Sequence, residues 1–185
     1  MAEQFGGSPP DRAWTLTDVV PAERPLLARL AQLYLYDFSA FDNAQVDETG
    51  RFTDLDADLD AYGTDPARHA LLVRVGGKAA GFALVDELSQ RPNGNDRHSI
   101  AEFFIMRAYR RRGYGAVVAH ALFDRFPGPW QVAQIEANQP AQAFWRRVIA
   151  AYTHGRYRER RSPTGAVIQE FETRPHRVPP IVTLL

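Results

Sequence analysis

Arg110-Arg111-Arg112-Gly113-Tyr114-Gly115 sits between two segments of unlike periodicity. Before it, Ser99 to Met106 is an apolar, strand-like run interrupted by one carboxylate, Glu102. After it, Gly115 to Phe126 places Val117, Val118, Ala121, Leu122 and Phe126 on one helical face. The stretch is therefore a strand-to-helix turn. The first N–H groups of a helix have no intrahelical partner and point outward, and the helix dipole favours negative charge there. Glycines at 113 and 115 let a ligand approach the backbone, and arginines at 110 to 112 add positive charge. This chemistry suits a pyrophosphate, although an isolated Gly-x-Gly is also what an ordinary tight turn looks like. A Walker loop needs Gly-Lys-Ser/Thr, and the chain's one lysine is Lys78. A dinucleotide fingerprint needs a third glycine where Val118 stands, and it would open the first strand unit rather than a late one.

Outward from the turn, Pro127-Gly128-Pro129 stops the helix and Trp130 to Glu136 reads as the next strand. Asn138 is a helix cap with Pro140 in the first turn, and Phe144, Trp145, Val148 and Ile149 form that helix's apolar side. Tyr152 to Arg160 and Ala166 to Phe171 read as a final strand pair. On the N-terminal side, Ala70 to Val75 and Ala79 to Val85 flank Gly76-Gly77, a hairpin signal. Trp14 to Val20 reads as a first strand. A helix starts at Pro25, with Leu26, Leu27, Leu30, Leu33 and Tyr34 at helical spacing, and Asp37 to Asp60 reads as loop and short helix. Arg91 to Asp96 is a loop. Residues 1–12 read as a flexible leader, 13–173 as one domain and 174–185 as an extension. Hairpins thus flank one strand–helix–strand crossover, which makes an α+β fold with a mixed, mostly antiparallel sheet and one parallel contact.

Composition narrows the function classes. The 185 residues, 45% of them apolar, suit a single domain. There is no cysteine, which excludes disulfides, thiolate metal sites and a cysteine nucleophile. Formal net charge is zero, which argues against a nucleic-acid partner. The start lacks a signal-peptide pattern and no apolar run approaches membrane-spanning length, so a cytoplasmic protein without a membrane partner is expected. The five histidines lack ligand spacing, and Asp54, Asp56, Asp58 and Asp60 read as a solvated face, so no metal is expected.

Residues 99–145 resemble the core of the GNAT superfamily of acetyltransferases. Its phosphate signature, Gln/Arg-x-x-Gly-x-Gly/Ala, is matched by Arg110, Gly113 and Gly115; Tyr109-Arg110 fits the aromatic-basic pair entering the loop. Asn138, Ala141 and Phe144-Trp145 fit the family's downstream Asn, Ala and aromatic pair. The resemblance implies a three-layer fold splayed at the strands that bind acetyl-CoA, and direct attack of an amine on the thioester. It implies that the cosubstrate lies along Phe103, Phe104 and Ile105, on the turn Arg110 to Ala116, and beside Asn138 and Trp145. The acceptor would be a primary amine of a small molecule or protein, and the enzyme a monomer or homodimer. A non-catalytic acyl-CoA-binding module is the other reading.

For the general base, Glu102 is the first choice, two residues from the acetyl site and so on the same strand face; the alternative is a buried carboxylate with a structural partner. Glu136 is a rival. Many family members carry a tyrosine acid seven positions after the Asn, where this chain has Trp145, whose indole is no acid and which packs beside the cosubstrate or in the core. Tyr152 is the candidate substitute, unless it packs under the last hairpin. Tyr34, Tyr36 and Asp37 offer an aromatic, acidic wall to a cationic acceptor, or else helix core and a solvated end.

Overall fold

The computed structural model describes residues 11–53, 55–88 and 96–174. Two hairpin strands show where its layers lie. In β2 (Arg68–Val75) and β3 (Lys78–Leu88) successive residues are apolar and buried, where a half-exposed strand would alternate. Both faces are therefore covered, and neighbours along a strand enter different cores. Leu71, Ala83 and Val85 pack with Leu122, Phe123, Trp145 and Ile149. Leu72, Phe82 and Leu84 pack on the other face with Leu27, Leu30, Leu35 and Tyr62.

The helices of the first core are α3 (Tyr114–Arg125) and α4 (Gln139–Thr153), and those of the second are α1 (Arg24–Asp42) and α2 (Asp56–Ala61). Between them lies a seven-stranded sheet, ordered β1-β2-β3-β4-β5-β7-β6. The other strands are β1 (Trp14–Asp18), β4 (Arg97–Ile105), β5 (Gly128–Gln134), β6 (Arg158–Arg161) and β7 (Val167–Thr173). Every pairing is antiparallel except β4 with β5, the strands joined through α3. The expected α+β architecture with one parallel contact is what the chain adopts.

Two features of β4 position the site. Its pairing with β5 covers only His98, Ser99 and Ile100 opposite Trp130, Gln131 and Val132, and beyond these the strands separate. Its register against β3 also slips, since Leu84 faces Glu102 while Val85 faces Ile100, leaving Ala101 as the extra residue of a bulge. A bulge bends and twists its strand, and this one stands where the splay begins. It also re-aims the chain. Ile100 packs in the α3/α4 layer, whereas Glu102 shares the face of its partner Leu84 in the α1/α2 layer.

Some boundaries differ from the sequence reading. The helix expected to give way near Asp37 continues to Asp42, because Tyr34, Phe38 and Phe41 pack in helical succession at 5.5 and 6.0 Å. The strand expected from Tyr152 is helix to Thr153, and α4 ends through His154 (φ 53°) with the Gly155 N–H on the Ala150 carbonyl at 2.8 Å. Of the leader, Asp11 and Arg12 are bound to α3: the Tyr114 hydroxyl donates to Asp11 Oδ1 at 2.7 Å and accepts from the Arg12 N–H at 3.2 Å. Residues 1–10, 89–95 and 175–185, with most of the leader, extension and Arg91–Asp96 loop readings, lie outside the described residues. Among the described residues no helix is long and apolar enough to cross a membrane.

Candidate active site

The opening between β4 and β5 is lined on one side by main chain. The Met106 N–H donates to the Ala80 carbonyl at 2.8 Å, continuing the β3–β4 ladder. Ladder bonds alternate, so Glu102 and Phe104 also turn their main-chain groups to β3, and those of Phe103 and Ile105 turn toward the opening. The Ile105 N–H is thus a main-chain donor directed at the splay, the kind of group that stabilises an oxyanion. The Ile105 carbonyl accepts from Arg110 Nε at 2.6 Å.

The turn above the opening has the expected form. A short 3-10 turn, Arg107–Tyr109, leads to Arg110 in extended conformation, Arg111 at φ 63° and Gly113 at φ 79° as the cap of α3. Among the described residues, the N–H groups of Arg111, Arg112 and Gly113 have no main-chain acceptor. Consecutive unpaired N–H groups in such a turn form an anion-binding concavity. Only glycine adopts the Gly113 geometry freely. At Arg111 the left-handed backbone costs about 1–2 kcal/mol, and strain of this kind is retained where a function requires the shape.

The arginine side chains of this region are less free than their charge suggests. Arg110 turns back under the turn onto Asp37 and stacks 5.6 Å from the Phe104 ring centre. Arg112 lies 3.7 Å from the Asp11 carboxylate. Arg111 is exposed and has no ion-pair partner among the described residues. Tyr114 is a core residue, 1% exposed, so only its main chain belongs to the turn. The Ala116 N–H is engaged by the Gly113 carbonyl at 3.1 Å. Gly115 serves packing: a Cβ there would lie 3.1 Å from the Phe144 ring. Phe144 in turn stacks on Phe103 at 5.9 Å and meets Trp145 at 5.0 Å. Trp145 is 5% exposed and belongs to the core. Asn138 caps α4 as expected, its Oδ1 accepting from the Ala141 N–H at 3.1 Å.

On the opposite face, Phe104, Phe82 and Tyr34 form an aromatic cluster with ring centres 5.8 to 6.0 Å apart. The Tyr34 hydroxyl hydrogen-bonds to Glu102. Burial, with that neighbouring carboxylate, raises the Tyr34 pKa well above the usual phenol range, so Tyr34 stays a neutral donor. Tyr62, at the end of α2, also feels the Glu102 charge and donates to Asp86 Oδ1 at 2.7 Å. Glu102 therefore lies on the face covered by α1 and α2, against the Tyr34 hydroxyl. Nothing local in the sequence marks Tyr62, because only folding brings the end of α2 onto the face that Glu102 shares.

Three expectations need correction. Tyr36 is 66% exposed, on the outer side of α1, and shares no wall with Tyr34; residues two apart on a helix face different ways. Asp37 is occupied: its Oδ1 accepts from Arg107 Nε and Nη2 at 3.0 and 2.7 Å, and its Oδ2 from Arg110. Burial pushes its pKa up, but the two arginines outweigh this and hold it below the ordinary value. Tyr152 lies about 21 Å along α4 from Asn138, at 1.5 Å per residue, with its hydroxyl on Asp124 Oδ1 at 2.7 Å. Burial and that carboxylate raise its pKa. A group that protonated the leaving thiolate would have to stand at the splay, at the other end of the helix. Tyr152→Phe is accordingly expected to leave kcat and KM within about twofold in a steady-state assay, while melting slightly earlier for one lost hydrogen bond of about 1 kcal/mol. Glu136 is 70% exposed and paired with Arg161 at 3.0 Å, which leaves Glu102 as the better-placed carboxylate. Among the described residues no cluster of three metal-binding side chains occurs.

No curated protein matches the chain in sequence. Solved structures match it in fold. An acetyltransferase from Thermus thermophilus aligns with a TM-score of 0.61 at 19% identity, covering 86% of this chain and 97% of its own. A Salmonella typhimurium protein assigned as an acetyltransferase, solved with its cofactor acetyl-CoA, aligns at 0.60 and 14% identity over 90% and 98% of the two chains. Spermidine N-acetyltransferase from Vibrio cholerae, solved with CoA and spermine, aligns at 0.55 and 11% identity over 85% and 92%. A family model for GNAT acetyltransferases matches residues 30–149, from within α1 through the bulged strand and the turn into α4. The chain belongs to the acetyltransferase (GNAT) family.

Proposed function

We propose that this protein transfers the acetyl group of acetyl-CoA to a primary amine. The observation that carries the reading is the joint placement of the anion-binding turn and the splay: β4 and β5 part after Ile100 and Val132, and the unpaired N–H groups of Arg111 to Gly113 stand beyond the end of β4. The residues present fit the cosubstrate. The turn takes the pyrophosphate through main chain, with Arg111 as the freest cation. The extended pantetheine arm pairs with the outward main-chain groups of Phe103, as one strand pairs with another. Acetyl-CoA supplies the thioester. The Ile105 N–H faces its carbonyl oxygen, and Glu102 accepts the proton that the amine gives up as the C–N bond forms.

Buried Trp145, in place of a tyrosine, also favours a second reading, an acyl-CoA-binding module without turnover. One experiment separates them. Acetyl-CoA is mixed with the protein and a panel of amines, free thiol is followed, and CoA affinity is measured by calorimetry. Thiol release dependent on both protein and an amine supports the transferase. CoA binding without release on any amine supports the module, and no CoA binding removes both.

A further inference from the structure

We infer that Asp37 is a positioning residue for the donor site: through Arg110 it fixes the end of β4 and the entry to the anion-binding turn. This rests on the reading of the turn and splay given above. The Asp37 side chain is 17% exposed, at the C-terminal end of α1, and holds both Arg107 and Arg110. Arg110 uses its remaining groups elsewhere. Its Nε meets the Ile105 carbonyl at 2.6 Å, and its plane lies over Phe104. One guanidinium thus joins α1, the last residue of β4 and the first residue of the turn. Between these anchors lies the 3-10 turn, closed by Tyr109 N–H to Met106 and Arg110 N–H to Arg107 at 2.9 and 3.2 Å. The strained Arg111 follows immediately. With Arg110 fixed, the next N–H groups have a fixed direction.

Charge and position make opposite predictions here. If Asp37 acted only as a charge, replacing it would free two arginines near the turn and strengthen anion binding. If it positions the turn, replacing it weakens binding although the site becomes more positive. In Asp37→Asn, the Kd for CoA is expected to rise about 10-fold or more, the scale of a lost charge-assisted hydrogen bond. The KM for acetyl-CoA is expected to follow. The value of kcat at saturating acetyl-CoA and the KM of the amine are expected to stay within about threefold, because Glu102 and Tyr34 are untouched. Arg110→Lys keeps the charge but loses the fork that spans Asp37 and Ile105, so it is expected to show the same loss, and it serves if Asp37→Asn does not fold. Arg107→Ala, which leaves Arg110 in place, is expected to bind CoA within about threefold of wild type. Unchanged or tighter CoA binding in both Asp37→Asn and Arg110→Lys overturns the inference, as does a rise confined to the amine KM, which would make Asp37 an acceptor contact. Failure of the wild-type protein to bind CoA would instead sink the donor-site reading itself.

Discussion

Glu102→Gln is expected to lower kcat by about 10²- to 10⁴-fold, the range of a positioned general base, with the Kd for CoA unchanged within about twofold. The amide keeps the size of the side chain and an oxygen for the Tyr34 hydroxyl to donate to, so the cluster around Phe104 and Phe82 is preserved. What it removes is the ability to take a proton. In the proposed reaction the amine attacks the thioester, Glu102 receives its proton, and the C–S bond breaks. A thiol pKa of about 8.5 makes the thiolate a tolerable leaving group, so no acid at Trp145 is required. The pH dependence has a definite sign. The base works deprotonated, so the wild-type rate rises through an acidic limb that Glu102→Gln lacks. The raised pKa of Tyr34 keeps its hydroxyl protonated well above the ordinary phenol range, so no limb near pH 10 comes from it. Rate–pH profiles of both proteins with one amine, together with calorimetry for CoA, check this. Equal rates near neutral pH would remove Glu102 from catalysis, and lost CoA affinity would make it a structural residue.

The features legible in the sequence are those written in local chemistry. Gly113 adopts the left-handed turn, Asn138 caps α4 on Ala141, and Gly76-Gly77 closes the β2–β3 hairpin. Glu102 was visible as the carboxylate in an apolar strand. Its facing under α1 depends on the extra residue at Ala101, and nothing in Ile100-Ala101-Glu102 announces a bulge. The misread residues have long-range partners. Arg110 meets an acidic residue 73 positions away, so its charge could not be known to be spent on Asp37. Tyr152 looked like strand because aromatics favour strands, but its ring packs on Phe123 and His120 of α3, which keeps the helix going. Gly115 fits a phosphate signature, yet what it accommodates is Phe144, a contact only the α3–α4 packing creates. Isolated glycine within a strand is a signal of close approach. Gly81 carried that signal inside Ala79 to Val85, and the structure shows what it answers to.

Gly81→Ala is expected to damage stability and donor binding together. Gly81 lies opposite Ile105 in the β3–β4 ladder, at a closely spaced pair between ladder bonds. A Cβ there would overlap the Phe104 carbonyl oxygen, and would stand 3.0 Å from that carbonyl carbon and 3.1 Å from Ile105 Cα. These are backbone atoms, so no rotamer change relieves the contact, and β4 itself must move. The Phe104 carbonyl belongs to the same peptide unit as the Ile105 N–H, and the two point in opposite directions. Pushing the carbonyl off β3 therefore drives the Ile105 N–H into the opening where the acyl group would lie. Overpacking of this kind costs about 1–3 kcal/mol, which for a chain of this size lowers Tm by roughly 3–10 °C. The Kd for CoA is expected to rise, and kcat to fall, by at least about tenfold each, since a displacement near 1 Å at the reacting centre costs about 10²-fold in rate. Gly77→Ala separates the two effects. Gly77 has φ 76° in the hairpin turn with open space around it, so alanine there strains the backbone without touching β4. It is expected to lower Tm while CoA affinity and kcat stay at the wild-type level. Wild-type CoA affinity in Gly81→Ala would mean that the end of β4 does not have to hold its place for the donor to bind.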